Sequence, residues 1–174
     1  MTTLSDLFKR SPVYRTRRNH ALEHATLNLL AKSRPNLRLA GYSDAGGFWV
    51  VGEISIEDLQ KAAGEALARL SNGESALAIH DNCGTNYVVP GFFAGTAAWL
   101  AMLGSEKDDS LGKKLDRWSL VILVVTAAFL FSRPLGPKFQ KKMTTDPRID
   151  GMQIIEILRS ERGSFVAHRI STAG

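Results

Sequence analysis

Two apolar stretches constrain this chain more than anything else in it. "YVVPGFFAGTAAWLAMLG", Tyr87 to Gly104, runs 18 residues without a charge, and "WSLVILVVTAAFLFS", Trp118 to Ser132, runs 15. A helix needs about 20 apolar residues to cross a bilayer, with a range of about 17 to 25. The first stretch meets that length narrowly. The second meets it if "RPLG" extends it or the bilayer thins locally. Both are apolar all round rather than striped. Trp118 stands beside Arg117 as an interface anchor would. Gly91 and Gly95 form a GxxxG pair that lets helix backbones approach closely, which suggests a homo-oligomeric face. Pro90 is expected near the first turn of its helix, where proline does no harm. The expectation is a two-helix transmembrane hairpin over residues 87–133. The competing reading is a helical hairpin buried in a soluble core.

The charge distribution fits a lipid surface. The chain carries a net charge of +5, with Lys9, Arg10, Arg15, Arg17 and Arg18 before the first expected helix and Arg133, Lys138, Lys141 and Lys142 after the second apolar stretch. No basic run is interleaved with aromatics, which argues against nucleic acid. Basic flanks beside apolar segments suit anionic membrane lipids. Counting Lys and Arg alone, the bias places the soluble part and both termini on the cytoplasmic side of an inner membrane. "MTTLSDLFKRSPVYRTRR" lacks the apolar run of a signal peptide. The single cysteine, Cys83, has no partner for an internal disulfide.

Outside the apolar stretches the pattern reads α-β-β-α-β. Residues 1–17 form a basic lead-in. A helix is expected from about Asn19, as its N-cap, to Lys32, with Leu22, Ala25, Leu29 and Leu30 on one stripe and "SRPN" ending it. Leu37–Tyr42 and Phe48–Ile54 flank "SDAGG", a hairpin signal. "SIEDLQKAAGEALARLSNG" is an amphipathic helix capped by Ser55 and stopped by Gly73. "ESALAIH" reads as a strand. The tail, "GMQIIEILRSERGSFVAHRIST", alternates and turns at "SERGS", a second hairpin completing the sheet. The expected fold is thus α+β: a small mixed sheet with two packed helices, residues 18–86 completed by 134–174, and the apolar hairpin inserted over 87–133.

Chemistry concentrates in "HALEH". On a helix, positions i, i+3 and i+4 share a face, so His20, Glu23 and His24 project together. Two imidazoles one turn apart can reach one zinc ion, and a carboxylate beside the second can take the proton of an attacking water. A third ligand is needed. His80 and Cys83 in "AIHDNCGTN" are the favoured candidates, because a thiolate is a good zinc ligand. Glu53, Glu57, Glu65 and Glu74 are the other candidates. Against this stand simpler readings: a solvated Glu–His pair, a His80 at a strand end and a Cys83 that is a small buried apolar residue. Cys83 can also be read as a nucleophile ahead of the first apolar helix, with His80 or His24 as its base. His168 in the tail is expected to be structural, or to orient a ligand by a hydrogen bond. Gly46-Gly47 with Phe48 and Trp49 is read as a hairpin turn, with peptide contact at an edge strand as the alternative.

Through "HALEHATLNLL", "LAGYSDAGGFWVVGE", "AIHDNCGTN" and "RPLGPKFQKKMTTDP" the chain resembles an uncharacterised bacterial family of short membrane-associated proteins. That likeness covers nearly the whole chain and implies organisation, not activity. A narrower resemblance, over His20, Glu23 and His24 alone, is to zinc peptidases of the inverzincin type. It implies zinc on His20 and His24, Glu23 as general base and a peptide or protein substrate. Those peptidases are larger and take a downstream glutamate as third ligand. At the corresponding distance this chain is inside its first apolar stretch, which holds no glutamate. The function expected is a membrane-associated zinc-dependent hydrolase, peptidase-like. The alternatives are a non-catalytic membrane protein with a structural metal or a partner- or cofactor-binding site, and a cysteine-dependent enzyme using Cys83.

Overall fold

A computed structural model describes residues 11–103, 110–163 and 165–174. The chain divides into two compact units, Met1–His80 with Lys141–Gly174, and Asp81–Gln140.

The first unit is built on helix α1, Pro12–Ser33. It starts earlier than the sequence reading placed it. Ser11 is the N-cap, accepting a hydrogen bond from Tyr14 N–H at 3.2 Å, and Pro12 occupies the first turn. Asn19 is therefore not a cap. It is buried inside the helix, where its Nδ2 donates to Asp44 O at 2.8 Å and its Oδ1 accepts from the Thr172 hydroxyl at 2.6 Å. Nor are Arg17 and Arg18 part of a loose lead-in. Arg18 donates to the carbonyls of Arg148 and Asp150, and Arg17 to those of Lys142 and Thr145. They clamp the returning chain against α1.

Strands β1, Ala40–Asp44, and β2, Gly47–Val51, form a hairpin through a two-residue turn. Gly47 has φ +146, and a β-carbon there would lie 2.0 Å from Ile170 O, so only glycine fits. Helix α2, Ile56–Ser71, is capped by Ser55, whose hydroxyl accepts from Asp58 N–H, and gives way to Gly73 at φ +89. The expected strand "ESALAIH" does not exist. Ser75–Ala78 is a turn of 3₁₀ helix. Its carbonyls are taken by side chains of α1 instead of a strand ladder: Asn28 Nδ2 donates to Leu77 O and Ile79 O.

Strands β3, Gln153–Arg162, and β4, Phe165–Ala173, form the C-terminal hairpin. The four strands lie in the order β1-β2-β4-β3, every neighbour antiparallel. The sheet is therefore antiparallel rather than mixed, because hairpins and the β2–β4 pairing make every contact. Leu22, Phe48, Val50, Leu59, Ile149 and Ile170 are fully buried or nearly so between the sheet and the two helices.

The second unit contains α3, Thr85–Met102, α4, Leu111–Ser132, and the short α5, Leu135–Phe139. Helix α3 packs on both others. Among the described residues, one helix, Leu111–Ser132, is long and apolar enough to cross a membrane by length and composition, which is slight evidence of membrane association. The sequence reading had given the first stretch the better length. The order reverses because α4 begins at Leu111, well ahead of Trp118. Starting at Thr85, α3 also places Pro90 in its interior, where proline forgoes an intrahelical hydrogen bond. Val88, Phe92 and Trp99 on α3 and Ile122, Leu123 and Phe131 on α4 are exposed. A β-carbon added at Gly91 or Gly95 would meet nothing within 4 Å, so the GxxxG pair does not make the α3–α4 contact.

Candidate metal centre

Helix α1 brings His20 and His24 together one turn apart, with ring centroids separated by 4.1 Å. His80, just after the 3₁₀ turn, has its ring 5.5 Å from that of His24. His24 is fully buried; His20 and His80 are half-buried. His20 Nδ1 lies 3.0 Å from Thr144 O, and His24 Nδ1 lies 2.8 Å from Ala78 O. A carbonyl can only accept, so each Nδ1 carries the proton and donates. In a neutral ring that leaves Nε2 with the lone pair. This is how a protein fixes an imidazole for metal ligation. His20 and His24 are two donors that could share a metal ion. Cys83 belongs to the second unit, where it is buried and its thiol lies 3.5 Å from the Thr85 hydroxyl.

Glu23 faces β1. Its Oε2 accepts a hydrogen bond from the Ser43 hydroxyl, and its Oε1 rests over Gly41, where a β-carbon would come within 2.0 Å. Burial pushes its pKa above the usual glutamate range, against the lowering effects of the Ser43 hydrogen bond and of the electrostatic interaction with His20. The carboxyl is thus held against two alternate residues of one strand.

The remaining candidates are elsewhere. Glu53 pairs with Arg159, and Glu65 and Glu74 pair with Arg69. His168 is fully buried on β4 between Val50 and Arg159 in register, and neither ring nitrogen has a hydrogen-bond partner among the described residues. Sequence reasoning missed Gly41, Ser43 and Asn28. The first two carry a period-two signal, a glycine and a serine on the strand face turned toward the helix. Asn28 carries none.

The fold and the histidine cluster define a small α+β unit with a helix-borne donor set, interrupted by an apolar helical insertion. Residues 15–157 match the family described as a domain of unknown function, DUF6391, and the chain belongs to that family. It is also 41% identical over 97 residues to an uncharacterized protein of Picosynechococcus sp., covering 48% of this chain and 47% of that protein. The chain thus spans about half the length of the curated relative it matches. No solved structure matches.

Proposed function

We propose that this protein is a membrane-associated, zinc-dependent hydrolase in which His20 and His24 hold the metal and Glu23 is the general base. The observation that supports it best is the pair of Nδ1–H···O=C hydrogen bonds from His20 and His24, which in a neutral ring leave the lone pair on Nε2. Cys83 supplies the third donor. It lies three residues past His80, a contour of about 10 Å at most. Two imidazoles and a thiolate are ordinary zinc donors, and three protein ligands leave a position for substrate. The metal would supply Lewis acidity at a carbonyl or related centre. Glu23 takes the proton of the attacking water and returns it to the leaving group. A carboxyl raised by burial is suited to both halves of that task. His80 lies beside the two histidines, its ring tilted by 34° to that of His24 at 5.5 Å. The exposed apolar side chains of α3 and α4 support association with a lipid bilayer, and the Lys and Arg flanks favour a cytoplasmic first unit.

A second reading is a metal that only holds the fold together. The hydrogen bond from Ser43 favours it, because it ties the Glu23 carboxylate to β1. Elemental analysis of the purified full chain, with turnover of a quenched fluorescent peptide library, separates the readings. The hydrolase reading expects one zinc per chain, retained in Glu23→Gln while turnover disappears. Absence of stoichiometric metal at neutral pH overturns both readings. Unfolding on chelation, with Glu23→Gln indistinguishable from the parent, selects the second.

A further inference from the structure

The two edges of the sheet are treated differently. β3, at one edge, is broken by a register shift between Ile154 and Glu156 and carries Glu156, Arg159, Glu161 and Arg162. A bulge and alternating charges are standard protection against another strand adding to an edge. β1, at the other edge, reads Ala-Gly-Tyr-Ser-Asp, with no proline, no basic residue and no register shift. Ala40, Gly41 and Tyr42 are exposed.

The register fixes which backbone groups that edge offers. Gly52 N–H donates to Val166 O and Thr172 N–H to Gly46 O, so the even-numbered residues of β2 turn their backbone groups toward β4. Antiparallel strands alternate, so Gly47, Trp49 and Val51 turn theirs toward β1. Their partners there are Asp44, Tyr42 and Ala40. Gly41 and Ser43 are left, and their N–H and C=O groups point out from the edge. These are the same two residues that hold Glu23, one beneath Oε1 and the other donating to Oε2.

We propose that β1 is a docking edge for an extended polypeptide, which adds to the sheet as a fifth strand through the backbone groups of Gly41 and Ser43. The occupant follows from the complementarity: donor and acceptor pairs on alternate residues match an extended main chain, and neither a lipid nor a small anion offers that repeat. The strand would run beside the Glu23 carboxylate, so this rests on the hydrolase reading and assigns its substrate class as unfolded or extended peptide.

Amide hydrogen exchange on the full-length protein tests it, with a random hexapeptide library as the probe and the same library N-methylated at every residue as the control. The expected result is exchange slowed roughly tenfold or more at Gly41 and Ser43 with the plain library, and no change with the methylated one. Tyr42 serves as an internal reference, since its amide already faces β2. Equal slowing by both libraries, or none at Gly41 and Ser43, overturns the proposal. So does protection present without peptide that fades on dilution, which would assign the edge to a second copy of this chain. Because exchange needs no turnover, protection in a protein that lacks metal and hydrolysis would sink the hydrolase reading while leaving the docking edge standing.

Discussion

The Cα of Gly41 lies directly under the carboxylate of Glu23, close enough that a β-carbon there would approach Oε1 to 2.0 Å. Helix α1 can bring the face that carries Glu23 this near β1 only because the strand has no side chain at that point. Gly41→Ala must therefore displace Glu23, strain the strand or separate helix from sheet. We expect a loss of about 1–3 kcal/mol of stability, as for other overpacked sites. Ser43→Ala should cost a similar amount, about 1–3 kcal/mol, by a different route, leaving a buried carboxylate without its donor. Denaturant titration measures both. Combined with Glu23→Gln, the two should be non-additive, since all three residues share one contact. Additive losses would separate Gly41 and Ser43 from the carboxylate.

Metal content should follow the tautomer argument. His24→Ala removes a buried donor whose Nδ1 is held by Ala78 O, and His20→Ala one held by Thr144 O. Each is expected to abolish stoichiometric zinc at micromolar concentration. Glu23→Gln is expected to retain it, because the residue is not among the donors. Glu65→Gln and Glu74→Gln should leave zinc untouched, since both partner Arg69. Inductively coupled plasma mass spectrometry of the purified variants reads all five. Zinc retained in His24→Ala would remove the helix from the metal site.

Much of this was legible in the sequence, and the limits have physical causes. Spacing placed His20, Glu23 and His24 on one helix, since three- and four-residue separations need only local geometry. Ser55 and Gly73 marked the ends of α2 for the same reason. Asn19 was misread because a buried asparagine bridging two strands looks, in sequence, like a cap; its partners Asp44 and Thr172 are distant in the chain. "ESALAIH" was misread because strand propensity is overridden when side chains such as Asn28 claim the backbone carbonyls. The length of α4 was underestimated because Lys113, Asp116 and Arg117 lie inside its first turns, where charge was taken as a boundary. Non-local hydrogen bonds account for the first two, and helix-end composition for the third.

The ion pair of Asp44 with Arg169 gives a pH dependence of definite sign. Arg169 Nη1 and Nη2 donate to the two carboxylate oxygens at 2.7 and 2.8 Å. Those hydrogen bonds hold the Asp44 pKa below its ordinary value of 3.8, with partial burial opposing and the Gly46 N–H assisting. A lowered folded-state pKa contributes stability above the unfolded value, and that contribution disappears as pH falls through the folded one. Stability should therefore decline with acid from about pH 4 downward. Asp44→Asn should flatten this part of the profile without changing its shape above about pH 5. Thermal melts between pH 2 and 6 test it. An unchanged acid slope in Asp44→Asn would mean that the pair contributes nothing, as many half-exposed pairs do.

His168 offers the sharpest test of the core. Its ring is fully buried on the strand face that carries Ile170, and neither nitrogen has a hydrogen-bond partner among the described residues. A buried polar group without a partner costs about 1–3 kcal/mol relative to an apolar group of the same shape. Leucine is close to histidine in volume and has no polar atom to desolvate. His168→Leu should therefore be neutral or stabilising, by up to about 1–3 kcal/mol, in contrast to most core substitutions, which destabilise. His168→Ala should destabilise, because it also opens a cavity between Val50 and the β3 strand. Denaturant midpoints of the two variants decide it. A loss in His168→Leu as large as that in His168→Ala would mean that the imidazole makes a polar interaction the fold depends on, and that this histidine belongs with the other three.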